Sequence, residues 1–155
     1  MDKEKSITEI VERATHGSAG YDIVAPNDVT IHPNQEVLID TGLKITENDF
    51  PVFHAIVGEP GGEPSRLMIS PLEYVLLVFP RSSYGRDYGF RFLNTVSVID
   101  SDYRDTIKLL ITVNRTINIK KGDRIAQFII FPFCVFADEK RPVKERNGGL
   151  GSTGR

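Results

Sequence analysis

The chain has 155 residues, 40% of them hydrophobic and 26% charged, with a net charge of −2. That is the make-up of one soluble globular domain large enough to bury a core. It provides no overall basic field, so direct nucleic-acid binding is not expected. The single cysteine, Cys134, excludes an intramolecular disulfide and argues against a cysteine metal site, and its apolar neighbours predict a small buried side chain. The charged start Met1-Asp2-Lys3-Glu4-Lys5 lacks the apolar run of a secretory signal, and no window approaches the roughly 18 apolar residues of a membrane span. The expectation is a cytoplasmic, reducing setting with no membrane contact.

Residues 1–16 are polar, anchored only by Ile7, Ile10 and Val11, and do not decide between a short strand and a helical turn. Gly17-Ser18-Ala19-Gly20 then turns tightly into Tyr21-Asp22-Ile23 and presents Asp22 at a defined spot, as a turn cap or as a functional carboxylate. From 24 to 57, apolar segments at Val29–Ile31, Val37–Ile39, Leu43–Ile45 and Val52–Val57 alternate with turns rich in Pro, Asn, Asp and Gly. Strands this short and closely spaced predict a β-sandwich, barrel or jelly roll, and no long stretch has helical periodicity. His32 and His54 share no ligand spacing and are read as incidental. Residues 58–73, rich in Gly and Pro, read as an exposed loop.

Tyr74–Phe79 is a strongly apolar strand, expected to be buried on both faces. It delivers Pro80-Arg81-Ser82-Ser83 at its end. A guanidinium fork, two hydroxyls and free backbone amides there suit an anion. The plainer reading is an Arg–carboxylate pair with the serines capping a helix. Phe90 to Leu93 leads to Asn94, and Val98-Ile99-Asp100-Ser101-Asp102-Tyr103-Arg104 then gathers two carboxylates, a hydroxyl, a phenol and a guanidinium behind an apolar pair. Ile107, Leu109, Ile111 and Val113 follow at period two, the mark of a strand with one buried face. The polar cluster therefore sits in a turn between strands. There an acid or base can be fixed and still be reached, or the turn carries no chemistry at all.

Arg124–Phe131 is a further strand interrupted by one amide, Gln127, which must either find core partners or face a site. After Asp138 the chain is charged and ends in Arg146-Asn147-Gly148-Gly149-Leu150-Gly151-Ser152-Thr153-Gly154. This is a glycine-rich arm suited to ordering over phosphate, or a plain disordered terminus.

Ala19–Asp22, Pro80–Ser83, Asn94–Tyr103, Gly122–Gln127 and Arg146–Gly154 resemble, in order, the five motifs of the trimeric dUTPase family. Asp40-Thr41-Gly42-Leu43 is similar to the family as well, so the resemblance covers nearly the whole chain. It implies an all-β, jelly-roll-like barrel over 1–137, with 58–73 as a surface insertion. A flexible C-terminal arm, 138–155, would close over the active site, and three such sites would lie at the subunit interfaces of a homotrimer. The implied reaction converts dUTP and water into dUMP and pyrophosphate, with Mg²⁺ bound to the triphosphate. Asp100 would be the general base acting on the water that attacks the α-phosphorus. Tyr103 would pack under the deoxyribose and exclude a 2′-hydroxyl. Uracil would be read by the hairpin from Asn94 to Asp100, through backbone groups including those of Val98 and Ile99 and through the Asn94 side chain. Arg81, Ser82, Ser83 and Gln127 would hold phosphate oxygens, as would Arg146, Ser152 and Thr153 of the arm, and Gly151 would be a further substrate contact. Asp22 would act on Mg²⁺ through its water shell, and Lys108 matches a substrate-contact position. No side-chain nucleophile is evident, which favours direct water attack.

Three features depart from the family pattern. Leu150 stands where a phenylalanine usually stacks on the base, which predicts weaker arm closure and a lower rate. Ser97 and Asp105 each replace a usual glycine, which predicts strain wherever the backbone needs positive φ. The 58–73 insertion is inert or a docking surface for a protein partner. Two other functions compete: a nucleotide-gated regulatory or binding protein on the same scaffold, and a dCTP deaminase. The deaminase has a related barrel and an Arg-Ser-Ser segment but works with a catalytic Glu.

Overall fold

Period-two alternation becomes a buried sheet face in strands such as Tyr74–Pro80, Ser97–Asp100 and Lys108–Thr112. The structure, a computed structural model, describes residues 11–45, 53–57, 65–69, 74–135, 138 and 140. In chain order the elements are β1 (Tyr21–Val24), β2 (Val29–Ile31), β3 (Val37–Asp40), β4 (Phe53–Val57), β5 (Ser65–Ile69), β6 (Tyr74–Pro80), α1 (Ser82–Tyr88), β7 (Arg91–Phe92), β8 (Ser97–Asp100), β9 (Lys108–Thr112), β10 (Ile117–Ile119) and β11 (Arg124–Pro132). The architecture is nearly all-β, as expected, with one short helix among the described residues. The main sheet has the order β1-β11-β6-β8, a second has β3-β9-β7, and β10-β2 and β4-β5 form two-stranded ladders. All these ladders are antiparallel.

The predicted core stripe Ile107, Leu109, Ile111 and Val113 is fully buried, and it meets Leu76, Val78, Ile125 and Phe128 from the main sheet. Each such side chain contributes about 1.5–3 kcal/mol when fully buried. Tyr21 stacks on Phe128 across β1 and β11 at a ring-centroid distance of 5.3 Å.

Five expectations need correction. Leu43–Ile45 pairs in no ladder. Leu43 and Ile45 are nonetheless buried, and the Leu43 carbonyl accepts the Ile107 N–H at 2.8 Å, which ties the segment to the chain just before β9. The 58–73 stretch is not all loop: it contains β5, which pairs with β4 from Phe53↔Ile69 to Val57↔Ser65. The open strand end with free amides after Arg81 is instead the start of helix α1, as in the plainer reading of the serines. Cys134 is exposed, because β11 pairs with β6 only as far as Pro132↔Tyr74 and the chain then leaves the sheet. Finally, β6 buries Tyr74, Leu76 and Val78 on one face but leaves Val75, Leu77 and Phe79 half-buried on the other.

Helix α1 begins at Arg81, whose backbone is extended (φ −73°, ψ 139°) and whose side chain makes no cap bond. It stops at Gly89, which is left-handed (φ 64°) and donates its N–H to the Gly85 carbonyl at 3.0 Å. A Cβ at Gly89 would lie 2.8 Å from Asn114 Cβ, so both the conformation and the space demand glycine. Tyr84 anchors the helix edge-on to Phe90 at 5.5 Å. Burial raises its phenol pKa, with the Asp123 charge adding to the shift.

Candidate active site

Register in the main sheet decides which predicted side chains meet. Asp22 on β1 lies directly across from Gln127 on β11, so both share one face. Arg81, at the exit of β6, donates to Asp22 Oδ1 at 2.7 Å. Arg124 donates to Asp22 Oδ2 at 3.2 Å. Sequence reasoning did not single out Arg124. Three residues before Gln127 on a regular strand it would face the other way, but a bulge between Ile23 and Val24 shifts the register and sets Val24 opposite Arg124. The Gln127 side chain lies against Gly20, where an added Cβ would come within 2.7 Å of Gln127 Oε1. Ser82 (exposed) and Ser83 (half-buried) open the helix beside Arg81. Asp22, Arg81, Arg124, Gln127 and the two serines thus form one end of the site.

The other end is built on β8 and the turn after it. Val98 points outward at 58% exposure, Ile99 points into the core, and Asp100 is exposed at the strand's end. The Ile99 side chain is therefore not presented to a ligand. Asn94 donates its amide to the Ser97 hydroxyl at 3.1 Å. Thr95 beside it has φ 66°, and among the described non-glycine residues only it and Asn34 have positive φ. Ser97 and Asp105 therefore do not meet the condition for strain; Thr95 carries it instead.

Tyr103 donates its backbone N–H to the Asp100 carbonyl at 3.0 Å and its phenol to the Thr106 carbonyl at 3.0 Å. Lys108 forms an ion pair with Asp105. The hydrogen bond from Lys108 pulls the Asp105 pKa down, and the same bond raises that of Lys108.

Between the two ends runs an apolar surface. Cross-strand partners share a face, so Ile129, Leu77 and Val98 make one outward row. Phe131, Val75 and Asp100 make the next, while Gln127 and Phe79 close the opposite end. Asp100 is opposite Val75, and Arg81 comes six residues after Val75. At about 3.3 Å per residue the two are roughly 20 Å apart within one protomer. Arg146, Leu150, Gly151, Ser152 and Thr153 lie outside the described residues.

The family's sequence model, described as dUTPase, matches residues 7–61 and 55–154. The chain belongs to the dUTPase family. It is 34% identical over 154 residues to the deoxyuridine 5′-triphosphate nucleotidohydrolase of Lactococcus lactis, covering 94% of this chain and 87% of that protein. It is 37% identical to that of Desulfitobacterium hafniense at the same two coverages. Among solved structures, the dUTPase from Streptococcus mutans superposes with a TM-score of 0.59 at 26% identity, over 81% of this chain and 87% of that one. The dUTPase from phage phi11 of S. aureus shares the fold, with a TM-score of 0.58 at 20% identity over 87% and 89% of the two chains.

For the metal that family membership implies, Asp22 is the carboxylate in reach. Both of its oxygens already accept from guanidinium groups, which leaves lone pairs for water more readily than for direct coordination. Among the described residues no three His, Cys, Asp or Glu side chains group as a metal site. Asp22 alone would therefore meet a divalent ion only through the ion's own water shell. No described helix is long and apolar enough to cross a membrane.

Proposed function

We propose that this chain hydrolyses dUTP to dUMP and pyrophosphate by direct water attack on the α-phosphorus. The observation that carries this reading is the split arrangement of its family motifs. An exposed carboxylate, Asp100, stands at one end of a sheet face, and an arginine–amide–hydroxyl cluster around Arg81 and Gln127 stands at the other. Asp100 takes the proton of the attacking water, since a carboxylate held at a strand end offers a fixed acceptor at hydrogen-bond distance. Arg81, Ser82, Ser83 and Gln127 take the phosphoryl oxygens, and the charge they neutralise is the main catalytic contribution in phosphoryl transfer. Magnesium bound with the triphosphate supplies further charge withdrawal, and Asp22 is the residue that would hold its water shell. Tyr103 carries the sugar and leaves no room for a 2′-hydroxyl. Asn94 and the backbone of Val98 and Ile99 read uracil, and Lys108 contacts the substrate nearby. Arg146, Gly151, Ser152 and Thr153 of the arm, 138–155, complete the phosphate cage, with Leu150 over the base.

A separation of roughly 20 Å along β6 is too long for one α-phosphate to meet both Asp100 and Arg81 of the same protomer. The reading therefore requires a second copy to supply one of them. The outward row of Val98, Leu77 and Ile129, with Phe131 and Val75, gives copies an apolar face on which to pack into the homotrimer.

The test is pyrophosphate release from dUTP, dCTP, dTTP and UTP with Mg²⁺ and with EDTA. Turnover of dUTP alone, lost in Asp100→Asn by at least about a hundredfold while dUTP binding persists, is the expected outcome. A folded oligomer that releases no pyrophosphate from dUTP would sink the reading.

A further inference from the structure

Thr106 has all three of its polar groups in use. Its N–H donates to Asp105 Oδ1 at 2.8 Å, its hydroxyl donates to Asp40 Oδ2 at 2.9 Å, and its carbonyl accepts the Tyr103 phenol at 3.0 Å. Neither carboxylate is loose. Asp40 Oδ1 also accepts the Gly42 N–H at 3.0 Å, and Asp105 Oδ2 is ion-paired with Lys108. The next residue is clamped as well, because the Ile107 carbonyl accepts both the Thr41 hydroxyl at 2.8 Å and the Thr41 N–H at 3.0 Å. The peptide that receives the Tyr103 phenol is thus fixed from both sides by groups that touch no substrate in the reading above.

We propose that Thr106, held between Asp40 and Asp105, is a positioning residue that sets the height of the Tyr103 ring and through it the discrimination between deoxyribose and ribose. This deepens, and rests on, the reading of Tyr103 as the sugar platform. A ring rejects a hydroxyl only if it cannot retreat. One oxygen atom must be excluded, so a displacement of well under its diameter decides the outcome. Tyr103 is 8% exposed and packed into the core, and the phenol's bond to the Thr106 carbonyl pins the far edge of its ring there. The Asp40 bond prevents Thr106 from following.

The experiment compares wild type, Thr106→Val and Thr106→Ser. Valine keeps the shape and loses the bond to Asp40; serine keeps the hydroxyl. For each, kcat/KM is measured with dUTP and with UTP. The Kd values of the imido analogues of both triphosphates are measured by calorimetry. The expected result is a fall of roughly tenfold in the dUTP:UTP preference of Thr106→Val, appearing in both ratios, with Thr106→Ser close to wild type. Equal losses for both nucleotides, with the preference intact, would make Thr106 merely structural and overturn the proposal. If wild type hydrolyses neither nucleotide, the hydrolytic reading fails on its own. The Kd ratio then still decides: a ratio lowered by valine and restored by serine supports the proposal, and an unchanged ratio overturns it.

Discussion

Thr95 is the residue whose conformation its own chemistry least favours. A β-branched side chain at φ 66° crowds the following carbonyl, at a cost of about 1–2 kcal/mol for a left-handed residue. The turn survives because the Thr95 N–H reaches the Phe92 carbonyl at 3.2 Å and the Val96 N–H reaches the Asn94 carbonyl at 2.7 Å. Thr95→Gly should therefore raise folding stability by about 1 kcal/mol, read as the denaturant midpoint. It should also raise KM for dUTP, because Asn94 loses its fixed neighbour; unchanged stability would mean that threonine fits the turn without strain. At this scale the sequence was informative about residue type and poor about partners. Asp22 and Arg81 stand out as a carboxylate and a guanidinium, but that they bond each other follows from register. Arg124 joins them only because a bulge turns the strand. Thr106, flanked by residues with louder chemistry, offered no signal of its own.

Elements were legible where alternation is long. The stripe from Ile107 to Val113 reads directly as β9, whereas the seven residues of α1 are too few to show helical periodicity. Strand β5 is hidden because its hairpin opens with Gly and Pro. The helix depends on its last residue, so Gly89→Ala should destabilise the protein by about 1–3 kcal/mol, through φ strain and displacement of Asn114, seen as a lowered Tm.

The turn before β11 is tied by charge. Asp28 accepts the Lys121 N–H and the Lys120 ammonium, each bond holding its carboxyl below the ordinary 3.8, the backbone bond more strongly. A carboxyl depressed in the folded state adds stability above its unfolded pKa and loses it as pH falls through the folded value. Tm should drop on acidification below about pH 3.8, and Asp28→Asn should flatten that limb. Because the group is solvent-exposed, the effect should shrink as salt is added.

At the scale of the molecule, the proposed reaction needs Asp100 and Arg81, roughly 20 Å apart along β6, to come from different chains. Asp100→Asn and Arg81→Ala proteins, each inactive alone, should then regain activity when unfolded together and refolded as a mixture. In a random trimer about a quarter of sites draw both intact groups from different chains. No recovery, with mixed oligomers demonstrated, would confine each site to a single chain. That a second copy completes the site is an expectation carried by family resemblance, because a single chain's alternation says which face is apolar and not what covers it.

The two guanidinium groups on Asp22 have a consequence for how a polyanion enters. For the proposed triphosphate Asp22 is a stand-in: it holds Arg81, and less tightly the half-exposed Arg124, before anything arrives. Binding becomes a change of partner. Part of the side-chain entropy of Arg81, about 2 kcal/mol in all, is then lost on folding and not on capture, whereas the more exposed Arg124 keeps more of its freedom. When a departing anion leaves, the internal carboxylate is waiting to take its place.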